Sequence, residues 1–150
     1  MDFSIFFNRN QVKLDVTTLA NYANFSKEYI DFMVEYDVSN ILSNDYKISF
    51  SKRDDYAHLI CFLTSEEVIR TNEYYHGIEE TKIIFTNEGF VIIGETESAI
   101  FVCIGVKENN KGKIYIYGWD FGIIRVDANL ADFFNSLELN EDINSAVIDI

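Results

Sequence analysis

Hydrophobic residues recur at helical spacing in several segments of the chain, and residues that favour helix ends flank them. The first clear helix begins near Ser26, a favoured N-cap, and Glu28 lies in its positively polarised first turn. One face of this helix is apolar and is formed by Phe25, Tyr29, Phe32, Met33 and Tyr36. A weaker helical turn precedes it at 17–23. We expect the apolar face to be buried.

Two further helices have recognisable ends in the sequence. Thr64 and Glu67 form the pattern of a capping box, and Gly77 is placed to end that helix. Asn129 is placed to cap the last helix. Its apolar residues fall at positions i, i+3, i+4 and i+7, and they are Leu130, Phe133, Phe134 and Leu137. Such a stripe predicts that the helix packs against a sheet.

Segments between these helices that alternate apolar and polar residues, or that are rich in apolar residues, predict strands. The alternating segment is 46–50, and the apolar-rich segments are 57–63, 82–85, 90–93, 99–106, 113–117 and 122–126. The run at 57–63 is denser in apolar residues than 46–50, which predicts a more central strand. Polar residues at 87–89 predict a turn between 82–85 and 90–93. The short turns favour an α+β fold, a meandering, mainly antiparallel sheet packed with about three to four helices.

Length and composition favour one domain. The chain has 150 residues, no proline and seven glycines, and no Ser/Gly-rich or like-charge block marks a linker. We therefore expect residues 1–150 to form a single domain. Asp2 stands where a signal peptide has bases, and the longest apolar run, 99–106, is far shorter than the roughly 20 residues of a membrane-spanning helix. These features predict a cytoplasmic protein that does not bind a membrane.

The charge balance restricts the class of partner. Twelve bases stand against 25 acids, which gives a net charge of −13 at pH 7. Direct binding of nucleic acid is disfavoured, because affinity for phosphates depends on Lys and Arg. A basic protein partner would instead be attracted. The alternative is that the acids serve only solubility.

Candidate catalytic chemistry is sparse. His58 begins an apolar strand and His76 ends a helix, where an imidazole favours the negative helix end. Cys61 and Cys103 each lie in an apolar run, where cysteine usually packs as a small hydrophobic residue rather than forming a disulfide or a reactive thiol. The cysteines lack the spacing of metal ligands, and no nucleotide-binding or hydrolase motif occurs. The sequence thus predicts neither an enzyme nor a cofactor.

Two parts of the sequence resemble the SMI1/KNR4 group, also called the SUKH superfamily. Residues 25–36 are similar to the helix of the family's first motif, which contains an aromatic residue followed by Phe-Leu. The second part comprises Ile-Gly-Glu-Thr at 93–96, the following apolar strand, the aromatic strand at 114–117 and the helix at 129–134. The resemblance implies a binding module. Bacterial members are typically immunity proteins that neutralise toxins, while fungal members are regulatory scaffolds linked to cell-wall synthesis.

Acidic residues without compensating bases mark a candidate protein-binding region. Arg125 is the last base of the chain, and Glu138, Glu141 and Asp142 are among the acids that follow it. A toxin that acts on nucleic acid presents a basic cleft, so an acidic inhibitor suits it electrostatically. The other candidate contacts are expected in loops at strand ends, and they are Glu95, Glu97, Trp119 and Asp120. The alternative for each is an ordinary turn or solvated surface residue.

Three functional hypotheses follow from these observations. The first is an immunity-type protein that binds and blocks a basic bacterial toxin. The second is a regulatory protein-interaction scaffold of the SMI1/KNR4 type. The third is a small enzyme, which requires a pocket where His58 or a carboxylate meets other polar groups.

Overall fold

The computed structural model describes residues 2–42, 46–50, 56–96, 99–118, 122–125, 128–139 and 146–148. Five helices occur in these ranges: α1 (Thr17–Tyr22), α2 (Lys27–Glu35), α3 (Ser65–His76), α4 (Glu79–Glu88) and α5 (Leu130–Leu139). Seven strands accompany them: β1 (Lys47–Phe50), β2 (Tyr56–Phe62), β3 (Phe90–Thr96), β4 (Ile100–Gly105), β5 (Ile114–Gly118), β6 (Gly122–Arg125) and β7 (Ala146–Ile148). No helix in the described part of the chain is both long enough and apolar enough to cross a membrane.

The strands form one sheet in the order β6-β5-β4-β3-β2-β1-β7. Neighbours from β1 to β6 are antiparallel and consecutive in sequence, whereas β7 pairs with β1 in parallel. The predicted α+β class with a meandering, mainly antiparallel sheet is therefore confirmed. As predicted, β2 lies closer to the middle of the sheet than β1.

The predicted helix starts are confirmed by their capping hydrogen bonds. The Ser26 hydroxyl accepts a hydrogen bond from the backbone N–H of Tyr29, and Thr64 forms both bonds of the capping box with Glu67. The side chain of Asn129 accepts from the backbone N–H of Asp132 at 2.8 Å. These contacts satisfy backbone donors that a helix N-terminus leaves without a partner.

The strand predicted at 82–85 is wrong, because these residues lie in α4. A four-residue apolar run has no period long enough to separate a strand from a buried helix. Packing decides the outcome here, since the ring of Phe85 lies 5.0 Å from that of Phe90 and 5.6 Å from that of Tyr117. The predicted turn at 87–89 is the end of α4, where Gly89 adopts the left-handed conformation with φ 69°.

Helices cover both faces of the sheet. On one face, Phe62 of β2 meets rings from three other segments: Phe7 at 5.9 Å, Phe32 of α2 at 6.5 Å and Phe134 of α5 at 5.0 Å. All four side chains are buried. The prediction that the last helix packs on the sheet is confirmed, and the N-terminal residues complete the same aromatic core.

The opposite face of the sheet carries α3 and α4. Cys61, Glu95, Phe101 and Tyr117 are successive partners across β2, β3, β4 and β5, so their side chains share this face. Tyr75 of α3 packs on it, with its ring 5.3 Å from that of Phe101. This face therefore combines aromatic packing with a carboxylate.

A buried asparagine joins α3 to the sheet. The paired register of β2 with β3 ends at Phe62 and Gly94, which leaves the backbone of Ile92 without a strand neighbour on that side. The side chain of Asn72 fills the place: its Oδ1 accepts from the Ile92 N–H at 2.9 Å, and its Nδ2 donates to the Ile92 carbonyl at 3.0 Å. Asn72 is fully buried, so these bonds are shielded from water.

Candidate protein-binding surfaces

The structure describes two of the seven residues predicted to contact a partner. Glu95 lies within β3, not in the loop after it, and is half-buried. Glu138 lies in α5. The remaining five lie outside the described residues, and they are Glu97, Trp119, Asp120, Glu141 and Asp142. The binding roles of all seven residues stay predictions.

Glu95 belongs to a group of four side chains, the Glu95 cluster, that also contains Cys61, Glu67 and Tyr75. Burial, and secondarily the nearby carboxylate of Glu67, raise the pKa of Glu95. Glu67 is held in place by the capping box of α3. Burial and the charge of Glu95 also raise the pKa of Tyr75. The cluster is therefore a place where negative charge is disfavoured.

The two cysteines are free, in agreement with the prediction that they pack as small hydrophobic residues. Cys103 is fully buried, and burial raises the pKa of its thiol. Burial, with the carboxylates of Glu95 and Glu67, also raises the pKa of Cys61. A nucleophilic cysteine needs the opposite shift, so these thiols are unsuited to covalent catalysis. Within the described ranges, no three or more His, Cys, Asp or Glu side chains are grouped so as to hold a metal ion.

A second acidic region, which the sequence did not reveal, lies between α2 and the N-terminal segment. We call this cavity of about 210 Å³ the α2 groove. It is lined by Phe3, Arg9, Glu28, Asp31, Phe32, Glu35 and Tyr36. The residues from α2 recur at helical spacing, so one side of the helix supplies both carboxylates and rings.

Arg9 lies in this groove with its guanidinium over an aromatic ring. Its Cζ atom is 5.0 Å from the centre of the Tyr36 ring, within the range of a cation–π interaction. One of its terminal nitrogens is 3.4 Å from a carboxylate oxygen of Asp2, and the other is 3.8 Å from one of Glu35. Lys13 approaches the second oxygen of Glu35 at 3.4 Å.

The floor of the groove is a fixed aromatic layer. The ring of Phe3 lies 4.9 Å from that of Phe32 and 5.5 Å from that of Tyr36, both in edge-to-face geometry. The Tyr36 hydroxyl accepts from the Phe3 N–H at 3.0 Å and donates to Asp2 at 3.2 Å. All three aromatic side chains are buried, so packing fixes their positions.

The acids of the groove differ in their surroundings. Hydrogen bonds from Ser4, then one from Tyr36, and the charge of Arg9 lower the pKa of Asp2 to about 2. Asp31 pairs with Lys27 one turn earlier on α2. Glu28 instead accepts a hydrogen bond from the backbone N–H of Leu130 at 3.0 Å, which caps α5 from a position 102 residues away in sequence.

The segment that follows Arg9 carries exposed aliphatic side chains. The segment 9–14 runs beside the end of α2, where the N–H groups of Asn10 and Leu14 donate to carbonyls of Glu35 and Val34. Val12 is 81% exposed and Leu14 is 49% exposed. The cores of protein interfaces are enriched in aromatic residues, while their rims are polar. Buried rings with carboxylates beside them make the α2 groove a candidate binding surface.

Comparison with known proteins gives one family. The family model SUKH_6, described as SMI1-KNR4 cell-wall, matches residues 21–134. This range covers more than half of the chain and includes both segments on which the resemblance was based. No curated protein matches the chain.

Proposed function

Since the chain belongs to the SMI1-KNR4 family, we propose that it is an immunity-type protein that neutralises a basic bacterial toxin by stoichiometric binding in the cytoplasm. Membership of this family supports a protein-interaction role, and its proteins are generally non-catalytic binding proteins. The identity of the partner is the part that we add.

The observation that carries the proposal is the excess of acids. A net charge of −13 attracts a basic partner over distances of about 10 Å at ordinary salt and raises the rate of encounter. Toxins that cut or modify nucleic acid present basic clefts to their substrates, so an acidic protein is suited to cover such a cleft. The α2 groove supplies a surface on which carboxylates lie beside buried rings.

A regulatory scaffold is the second candidate, and the description of the matched family favours it. That description names the cell wall, which fits a role in organising endogenous proteins of cell-wall synthesis. A scaffold of this kind associates stably with cellular partners and confers no resistance to a toxin.

Coexpression with the toxin domains encoded near the gene tests the proposal. We expect one toxin to lose its growth inhibition and to form a one-to-one complex with the chain, as measured by light scattering. Replacing Glu138, Glu141 and Asp142 together with Lys should slow association at low salt without changing the melting temperature. Stable association with endogenous proteins, without rescue of growth from any toxin, would support the scaffold instead.

A further inference from the structure

We propose that the α2 groove binds an arginine side chain of the basic partner, and that Arg9 occupies this position until the partner displaces it. This inference rests on the proposed function, because it assumes a basic protein partner. It adds where on the chain one contact with the partner is made, and which chemical group of the partner makes it.

The groove combines the two surroundings that attract a guanidinium group. A planar cation can stack on the face of the Tyr36 ring and pair with the carboxylate of Glu35. Arg9 contacts both the Tyr36 ring and the Glu35 carboxylate. The chain's own arginine therefore shows that the groove accepts a guanidinium.

Arg9 is held loosely enough to be exchanged. Its side chain remains 53% exposed, and its closest distances to the two carboxylates, 3.4 and 3.8 Å, are longer than those of a good charge-assisted hydrogen bond. Exposed pairs of this kind contribute little to stability. An incoming arginine replaces the contacts that Arg9 gives up.

Two carboxylates of the groove are also paired with exposed lysines. Glu35 is shared between Arg9 and Lys13, and Lys13 is 78% exposed. Asp31 is 57% exposed, and its partner Lys27 is 87% exposed. Both lysines lie at the solvent-exposed rim, so a partner's cation competes only with water-exposed pairs.

Titration of the full-length chain with short peptides tests the inference. The probes are acetyl-Gly-Arg-Gly-amide and the same peptide with Lys, and binding is followed by backbone amide shifts in NMR. We expect saturable shifts at Phe32, Glu35 and Tyr36 with the arginine peptide. The lysine peptide should bind several-fold more weakly, because its ammonium group neither stacks on an aromatic ring nor forms two parallel hydrogen bonds with a carboxylate.

Two variants that each remove one positive charge distinguish displacement of Arg9 from a general effect of charge on peptide binding. Arg9→Gln and Lys13→Gln remove the same charge from the same region, but only the first vacates the face of Tyr36. We expect Arg9→Gln to tighten binding of the arginine peptide by about fivefold, and Lys13→Gln to change it less. Glu35→Gln should weaken it, while Glu66→Gln, an exposed acid on α3, should leave it unchanged.

The inference is overturned if shifts spread over the acidic surface, if both peptides bind equally, or if Lys13→Gln tightens binding as much as Arg9→Gln. The proposed function has a separate outcome. A toxin complex whose affinity is unaffected by Arg9→Gln and Glu35→Gln would overturn the groove contact alone. Failure to bind any toxin, with arginine-peptide binding intact, would overturn only the proposed function.

Discussion

The α2 groove and the Glu95 cluster both contain acidic residues, but the carboxylates have different surroundings in the two regions. In the groove, Asp31 is exposed and Glu35 is half-buried, and each carboxylate is paired with a basic side chain. In the cluster, Glu95 is partly withdrawn from water and faces a second acid, Glu67. Among the described residues, all the ion pairs lie between 2 and 35, and none involves the cluster.

This difference shows which acidic residues suit a cationic partner. A carboxylate that pairs with exposed basic side chains offers an exchangeable contact, as Glu35 does with Arg9 and Lys13. A carboxylate whose pKa is raised by burial has lost part of its hydration without gaining a cation. Negative charge in the sequence is therefore insufficient to locate a binding surface, because the backbone decides how each acid is solvated.

The largest expected effect concerns the floor of the groove. Phe32 is buried and packs against rings of Phe3, Phe62 and Phe134. Phe32→Ala should lower the free energy of unfolding by about 3–5 kcal/mol, because it leaves a cavity in this aromatic core. Denaturant unfolding measures the loss, with Val12→Ala as the exposed control. A loss below about 1 kcal/mol would mean that the groove does not depend on this core.

A smaller effect is expected at the attachment of α3, the helix that carries two residues of the Glu95 cluster. Asn72→Leu should destabilise the fold by about 2–3 kcal/mol, because the N–H and carbonyl of Ile92 are left buried without partners. Asn21→Leu, at an exposed position of α1, is the matched control. Equal stability of the two variants would show that Ile92 gains other partners and that the cluster does not rely on Asn72.

The smallest effect concerns the charge of Glu95 itself. An acid with a raised pKa in the folded state binds its proton more tightly there than in the unfolded chain, so it stabilises the fold at low pH. That stability is lost as the pH rises from about 4.5, the ordinary value, through the raised one. Glu95→Gln should therefore increase stability at pH 7 by less than about 1 kcal/mol, since the group is partly hydrated.

Melting temperatures at pH 4 and pH 7 measure this change, with Glu66→Gln as the exposed control on α3. The gain from Glu95→Gln should be confined to the higher pH. A gain of the same size at both values would indicate altered packing, and the contrast between the two acidic regions would then not be one of charge.

Local signals made much of the fold predictable. Ser26, Thr64 and Asn129 each cap a helix as their side chains predict, because capping depends on a few neighbouring residues. The strand prediction at Phe85 is wrong because this residue packs in α4 against Tyr117 of β5, which is too distant in sequence for a local window to contain. The predicted strand at 82–85 failed for this tertiary reason.

Local sequence patterns could not predict the groove. The spacing of Glu28, Asp31 and Glu35 was visible in the sequence, but nothing local brings Arg9 to the face of Tyr36. That contact depends on the path of the N-terminal segment across α2. The predicted loop position of Glu95 is wrong, because the residue lies within β3 and is paired with Cys61 of β2.

The aromatic core around Phe134 has a consequence for the synthesis of the chain. Phe3, Phe6 and Phe7 leave the ribosome before α5, but all three pack against Phe134 in that helix. Until α5 has emerged, these rings have no partner on that helix and are open to chaperones or to other nascent chains. We infer that this face of the sheet is completed after translation has passed α5. Contacts between residues so distant in sequence also slow folding, compared with a protein whose contacts are mostly local.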